Sequence, residues 1–278
     1  MDDAAAIGDR LQAYRDRFSL HGRTAVVLGA ASGIGRASAE AMAALGARIV
    51  CADRDEDGVA RTVADLVAGG AEAAAHVIDA GSSRDVNALA EMAWAKHGRV
   101  HVAVSTPAIH VRKPMCDYTD EEFDRVSDLN LRGTFFFLRA FGSAMARAGG
   151  GSLIASSSVR AMTLEPGLAV YGATKAGIIQ MVRGLASELG SADVRVNAIV
   201  PSIVETPLVA PLKARPEIWD KLAGHTVFNR WSTPAEVGAA VAFLASDASS
   251  YVTGTALLVD GGWTAIDGPP SGLTSTAR

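Results

Sequence analysis

Apolar residues along this chain come in two alternating patterns. Short, nearly continuous apolar runs at 24–29, 47–52, 73–78, 100–104, 151–156, 194–200 and 255–259 predict strands. Between them, apolar residues recur at helical spacing, predicting helices over 33–45, 57–68, 82–96, 120–148, 169–189 and 234–246. Thr233 suits the cap of the last of these and Pro234 its first turn. Strands that are apolar on both faces belong to a parallel sheet covered on both sides, so the alternation predicts a single α/β domain with a doubly wound parallel β-sheet.

Three segments stand outside that rhythm. Residues 1–20 carry Ile7, Leu11, Tyr14 and Phe18 at helical spacing among charges, an amphipathic lead-in helix expected to pack on the domain or on a neighbouring subunit. The domain proper spans 21–265. Within it, 201–234 is too long for a tight connection and holds Pro207, Pro211 and Pro216 beside Leu208, Leu212, Ile218, Trp219 and Leu222, so a lid is expected over 204–228. The end, 266–278, with Gly268-Pro269-Pro270, reads as an irregular tail.

Composition narrows the function classes. The 278 residues are 49% hydrophobic, enough for one large core. A net charge of −4 gives no general pull toward nucleic acid or an anionic membrane, and neither partner is expected. No apolar run approaches the roughly 18–20 residues of a membrane span, and Met1-Asp2-Asp3 is acidic where a secretory signal is basic. Cys51 and Cys116 offer neither a disulfide framework nor zinc spacing. A cytoplasmic protein without a metal is expected.

The first strand runs into Gly29-Ala30-Ala31-Ser32-Gly33-Ile34-Gly35 and then a helix. Glycines at such a turn let the backbone approach a pyrophosphate against the helix N-terminus, as in Rossmann-like nucleotide sites. An acid, Asp53, ends the next strand, where it can accept hydrogen bonds from ribose hydroxyls and repel a 2′-phosphate, favouring NAD over NADP. Arg54 argues the other way, since a guanidinium can serve a phosphate or stack on adenine. Asp79, followed by Ala80, ends the third strand and is either an adenine contact or a solvated turn residue.

Tyr171 and Lys175 lie four apart on the helix predicted over 169–189, so both project from one side. A neighbouring ammonium favours the phenolate, and Tyr171 is expected below its ordinary proton affinity, as a candidate acid/base. Ser158, thirteen residues upstream and just past a strand, can place a hydroxyl beside the phenol.

With the glycine turn, Asp53, Ser158, Tyr171 and Lys175 in this order, the chain resembles the short-chain dehydrogenase/reductase family over residues 20–265. The resemblance implies that Tyr171 is the catalytic acid/base, that Ser158 orients a substrate oxygen, and that Lys175 lowers the Tyr171 proton affinity and binds the nicotinamide ribose. It also implies that Asn130, in Asp128-Leu129-Asn130-Leu131-Arg132-Gly133, completes a proton relay through water. On the nicotinamide side it maps Pro201, Ile203 and Thr206, and after the fourth strand Ser105 and Pro107. A homotetramer built on the two long helices is implied too, and Phe135-Phe136-Phe137-Leu138 and the apolar helix after Tyr171, which carry more hydrophobic surface than one sheet face needs, fit it.

Some positions depart from the family pattern. Leu28 stands where Thr is usual, and Ser105-Thr106-Pro107-Ala108 replaces Asn-Asn-Ala-Gly, so both partners of one hydrogen bond are changed together. Ser202 replaces Gly and is expected to add a side chain beside the nicotinamide. The expected reaction is hydride transfer between a small secondary alcohol, or its ketone, and nicotinamide, the substrate being a polyol, sugar acid or keto acid. Its pocket is expected to include Ile109, His110, Val111, Arg160, Ala161 and Met162; Arg160 either pairs with a substrate carboxylate or is structural. A nucleotide-binding regulatory protein with little turnover is the alternative that the changed turn leaves open.

Overall fold

The computed structural model describes residues 2–266, which hold one seven-stranded sheet, all parallel, in the order β3-β2-β1-β4-β5-β6-β7. The strands are β1 (Thr24–Leu28), β2 (Arg48–Asp53), β3 (Ala73–Val77), β4 (Val102–Ser105), β5 (Gly151–Ser156), β6 (Val194–Pro201) and β7 (Ala256–Val259). Each lies within one or two residues of the run that predicts it. β1 and β4 are buried at every position, while edge strand β3 is only half covered, which explains why its run is mostly alanine.

Nine helices accompany the sheet among the described residues. They are α1 (Asp2–Asp16), α2 (Gly33–Ala44), α3 (Glu56–Ala68), α4 (Ser83–His97), α5 (Asp120–Ser127), α6 (Gly133–Arg147), α7 (Ala169–Leu189), α8 (Pro216–Ala223) and α9 (Pro234–Ala245). One face of the sheet packs Phe137, Phe141 and Met145 of α6 and Ile178 and Val182 of α7; the other packs Met42 of α2, Val59 of α3 and Val237 and Val241 of α9. The caps follow the sequence. Asp55 and Ser82 accept from the third residue beyond at 3.0 and 3.2 Å, and Thr233 forms a reciprocal box with Glu236.

The region predicted as one helix over 120–148 is continuous but not uniform. Between α5 and α6 the residues Asp128–Arg132 form a π-helical turn with Asn130 fully buried in it. After β6 the chain makes a 3₁₀ run, Pro207–Ala214, then α8, and returns through a stacked pair, Trp219 and Trp231, 3.8 Å apart. Val227 N–H donates to Gly261 O at 2.8 Å, tying the end of this excursion to the turn after β7.

Of the two surfaces expected to receive the lead-in segment, its own domain does not: Ile7, Leu11 and Tyr14 of α1 and Phe18 just after it are all exposed, whereas Leu20 is buried in the core. The tail assigned to 266–278 lies, from 267 on, outside the described residues. No described helix is long and apolar enough to cross a membrane.

Candidate active site

At the carboxyl ends of β1, β2, β3 and β4 the sheet opens a groove of about 430 Å³, where the strand order reverses between β1 and β4. Gly29, Ser32, Gly33, Ile34, Gly35, Asp53, Arg54, Asp79, Ala80, Pro107 and Thr206 line it, as the sequence leads one to expect. Ser105, Pro201 and Ile203 do not border it. They are buried, at the last residue of β4, the last of β6 and just beyond it.

The turn itself is shaped for close approach. Gly29 and Gly33 have φ of 91° and 55°, and a Cβ on Gly35 would lie 1.9 Å from Gly29 O. Ser32 is extended and its side chain makes no capping bond to α2, leaving that hydroxyl and the first N–H groups facing the groove. Asp53 is fixed from two sides: Ala31 N–H and Asp55 N–H each donate to its carboxylate at 3.0 Å. Asp79 accepts from Gly81 N–H at 2.8 Å, so it is a turn residue that also borders the groove.

Leu28 and Thr106 are explained together. The Thr106 hydroxyl lies 3.2 Å from Leu28 O and 3.4 Å from Gly29 O. The tie between the first turn and the segment after β4 is therefore present, with its hydroxyl supplied from the β4 side. Thr106 was not singled out in the sequence as a working residue, although its pairing with the Leu28 change is the signal that finds it. Ser202 does not stand beside this groove; it borders a separate hollow with Phe228 and Asp260, beyond the end of β6.

Beyond the groove the four expected catalytic residues converge. Ser158 opens the 3₁₀ turn Val159–Ala161, and this turn approaches the start of α7 because residue 172 is glycine: a Cβ there would lie 2.8 Å from Arg160 O. Ser157 Oγ donates to Lys175 O at 2.8 Å, pinning α7 to the end of β5. The Asn130 amide accepts from Ile109 N–H and donates to Ile109 O, both at 2.9 Å, and reaches Thr174 Oγ1 at 3.2 Å. It thus holds the segment that carries His110, whose ring stands edge-on to Tyr171 at 6.0 Å. Burial lowers the His110 proton affinity, leaving the imidazole neutral at neutral pH.

The electrostatics correct the expectation for Tyr171. Burial pushes the phenol above its ordinary value; the Ser158 hydroxyl and then the Arg160 charge pull it back. Lys175 does not act as expected, since its Nζ is 5.6 Å from the phenol ring centroid and donates to Ser156 O at 2.8 Å. Its own burial pushes the ammonium down to about 7. Desolvation is the largest influence on both groups, a cost that spacing along a helix does not reveal.

Arg160 is engaged within the protein. Its Nη2 donates to Glu165 Oε2 at 2.8 Å, and Glu165 Oε1 pairs with Arg112. Its Cζ lies 4.9 Å over the Trp263 ring, whose other neighbour is His225 at 4.1 Å. Glu165 is a near neighbour of Arg160 in the chain, five residues on, whereas Arg112 and Trp263 are long-range partners that the sequence does not signal.

A family model described as enoyl-(acyl carrier protein) reductase matches residues 29–264, nearly the whole described domain. The chain belongs to the short-chain dehydrogenase/reductase family. It is accordingly a nicotinamide-dependent oxidoreductase acting on CH–OH groups, and the regulatory alternative has no support. Among similar short-chain dehydrogenases, galactitol 2-dehydrogenase (L-tagatose-forming) of Cereibacter sphaeroides is 37% identical, over 90% of this chain and 98% of that protein. The 3beta-hydroxysteroid dehydrogenase 1 of Eggerthella lenta is 38% identical over 90% and 96%. Of solved structures, a gluconate 5-dehydrogenase from Burkholderia cenocepacia in complex with NADP and tartrate superposes with a TM-score of 0.87 at 31% identity, over 91% of this chain and 99% of that one.

Proposed function

We propose that this dehydrogenase interconverts a small polyol or sugar acid and its ketone, with NAD as the preferred cofactor. The observation that carries the reading is the convergence of Ser158, Tyr171 and Lys175 beside a glycine-shaped groove. Galactitol and gluconate dehydrogenases among the relatives favour a small, polyhydroxylated substrate.

The groove fits a nicotinamide dinucleotide because the cradle at Gly29, Gly33 and Gly35 has no room for a Cβ at Gly35. Gly33, Ile34 and Ser32 would hold its pyrophosphate, Asp53 its adenosine ribose, and Lys175 its second ribose. When bound, the cofactor supplies the hydride acceptor or donor. The preference for NAD rests on the Asp53 carboxylate, fixed by two backbone N–H groups and negative where a 2′-phosphate would fall. Arg54, beside it, is the residue that would serve NADP.

The chain's own residues manage the oxygen. Ser158 donates to the substrate oxygen and fixes its direction; Tyr171 takes the hydroxyl proton in oxidation and returns it in reduction. Asn130 acts as a strut for the His110 segment, both polar atoms of its amide being engaged there and its backbone carbonyl accepting from Thr134 Oγ1 at 2.6 Å. The excursion over 204–228 serves as a lid, with Thr206 at the groove and Trp219–Trp231 as its stem. Exposed Phe135, and the unpacked row on α1, fit a cytoplasmic homotetramer that covers them.

The test is NADH formation, with NAD and then NADP, against galactitol, other polyols, gluconate and hydroxysteroids, alongside light scattering of the same preparation. Tyr171→Phe should lose roughly 10²–10⁴-fold in kcat while still binding NADH. Turnover that survives in Tyr171→Phe, or a preference for NADP that persists in Arg54→Ala, would overturn the corresponding assignment. A monomer in solution would overturn the tetramer.

A further inference from the structure

Arg160 sits two residues past Ser158, and its backbone N–H donates to Ser158 Oγ at 3.2 Å, so the arginine and the serine share one turn. That turn packs on the start of α7 against Gly172, the residue after Tyr171. The side chain is 11% exposed and cannot wander: Glu165 holds one edge of the guanidinium at 2.8 Å and the Trp263 ring covers a face at 4.9 Å. Glu165 is shared with Arg112, so two arginines meet one carboxylate and a net positive charge remains.

Other charges near the phenol are weaker candidates for supporting its ionised form. Lys175, on the same helix, is directed at Ser156 O, and burial holds it down to about 7, so it is only partly charged at neutral pH. His110, from the segment after β4, is neutral there. His225, at the end of the lid, stacks on the far contact of Arg160, the Trp263 ring. Arg160 is held, largely buried, in the turn that carries Ser158 and packs on α7 beside Tyr171, and from there its charge adds to the pull of the Ser158 hydroxyl on the phenol.

We propose that Arg160 is a positioning residue for proton transfer: clamped between Glu165 and Trp263, its fixed charge stabilises the Tyr171 phenolate, and the Arg112–Glu165–Arg160 chain sets the strength of that support. The inference rests on Tyr171 being the acid/base. It gives this dehydrogenase a second source of positive charge, drawn from the substrate wall, so changes at 160 or 165 alter the chemistry as well as the fit.

The test is the pH profile of kcat/KM for alcohol oxidation, paired with absorbance titration of the phenolate as the difference between each protein and its Tyr171→Phe counterpart. Arg160→Met should move both transitions to higher pH and lower kcat/KM at neutral pH on the order of 3- to 10-fold, with NAD binding unchanged. Glu165→Gln removes the negative partner and should move both to lower pH. Arg160→Lys, which keeps the charge without the planar stack, should fall between wild type and Arg160→Met. Opposite displacements at 160 and 165 are the decisive outcome, because a merely structural role predicts losses without a consistent sign. Unmoved titrations, or displacements of the same sign, overturn the proposal. Because the titration needs no turnover, an opposite displacement in a protein without turnover would uphold the charge assignment while refuting the dehydrogenase substrate class.

Discussion

Around Gly29–Gly35 the chain shapes its site with backbone, whereas around Tyr171 it does so with side chains from β5, α7 and two loops. The first region works by what is missing: a Cβ at Gly35 would meet Gly29 O at 1.9 Å. The second works by what is buried and compensated: Lys175 on Ser156 O, Arg160 between Glu165 and Trp263. Backbone shape is local and tolerates no added atom. Buried charge is long-range and tunable, because each group's proton affinity depends on partners that can be changed singly.

The largest effect that tests this contrast is steric. Gly35→Ala should forfeit nucleotide binding and cost roughly 2–4 kcal/mol of stability, since the clash is with backbone that cannot yield. Gly184→Ala is the matched control in α7, where nothing lies within 4 Å of a new Cβ. There the same substitution should stabilise by about 0.5–1 kcal/mol through lower unfolded-chain entropy. Thermal melts and NADH titration read both, and a Gly35→Ala protein that binds NADH normally would break the distinction between the two regions.

That contrast also explains how much was legible in the sequence. The strands, the glycine turn, Asp53 and the Ser158, Tyr171, Lys175 set are visible because each depends on local pattern or short spacing. The cap at Thr233 is visible for the same reason. Invisible were the partners that tertiary folding brings together, such as Arg112 with Glu165, 53 residues apart, and the Trp263 cover over Arg160. The sign of the Tyr171 shift was misread on the same account: helical spacing places a cation beside a phenol but says nothing of how thoroughly both are dried. Likewise α1 is legible as a helix, and where its apolar row goes is not, since the row faces away from its own domain.

The next effect belongs to the charged region. Lys175 is held down to about 7 against an ordinary 10.5. Between those values the unfolded chain carries a proton on this amine that the folded chain lacks, so stability rises with pH across that window and the penalty is full below it. Lys175→Met should therefore stabilise by roughly 1–3 kcal/mol at pH about 6, after the loss of the bond to Ser156 O is counted, while abolishing turnover. The gain should hold up to about pH 7 and then shrink as pH rises toward 10.5, above which the wild-type amine is neutral in both states. A stability difference between the two proteins that does not change with pH would refute the account of Lys175 as a buried, desolvated amine.

The smallest effect lies where the two regions meet. Thr106 ties the start of the backbone-built turn to the segment after β4, its hydroxyl within 3.2 and 3.4 Å of the carbonyls of Leu28 and Gly29. Thr106→Val keeps the shape and leaves those oxygens without the hydroxyl, which should cost about 1 kcal/mol and roughly 5-fold in NADH affinity. Thr106→Ser retains the hydroxyl and should recover most of the affinity. Leu28→Thr then becomes informative: introduced into Thr106→Val, it puts a hydroxyl back on the β1 side of the same gap and should rescue binding, whereas in the wild-type background it adds a second hydroxyl where one suffices. Rescue in the double variant alone would mean that the turn needs one donor and is indifferent to which strand provides it. Undiminished affinity in Thr106→Val, with the loss confined to Thr106→Ser, would mean that Thr106 supports the turn by its methyl group, which valine keeps and serine lacks, and that the hydroxyl is dispensable to this junction.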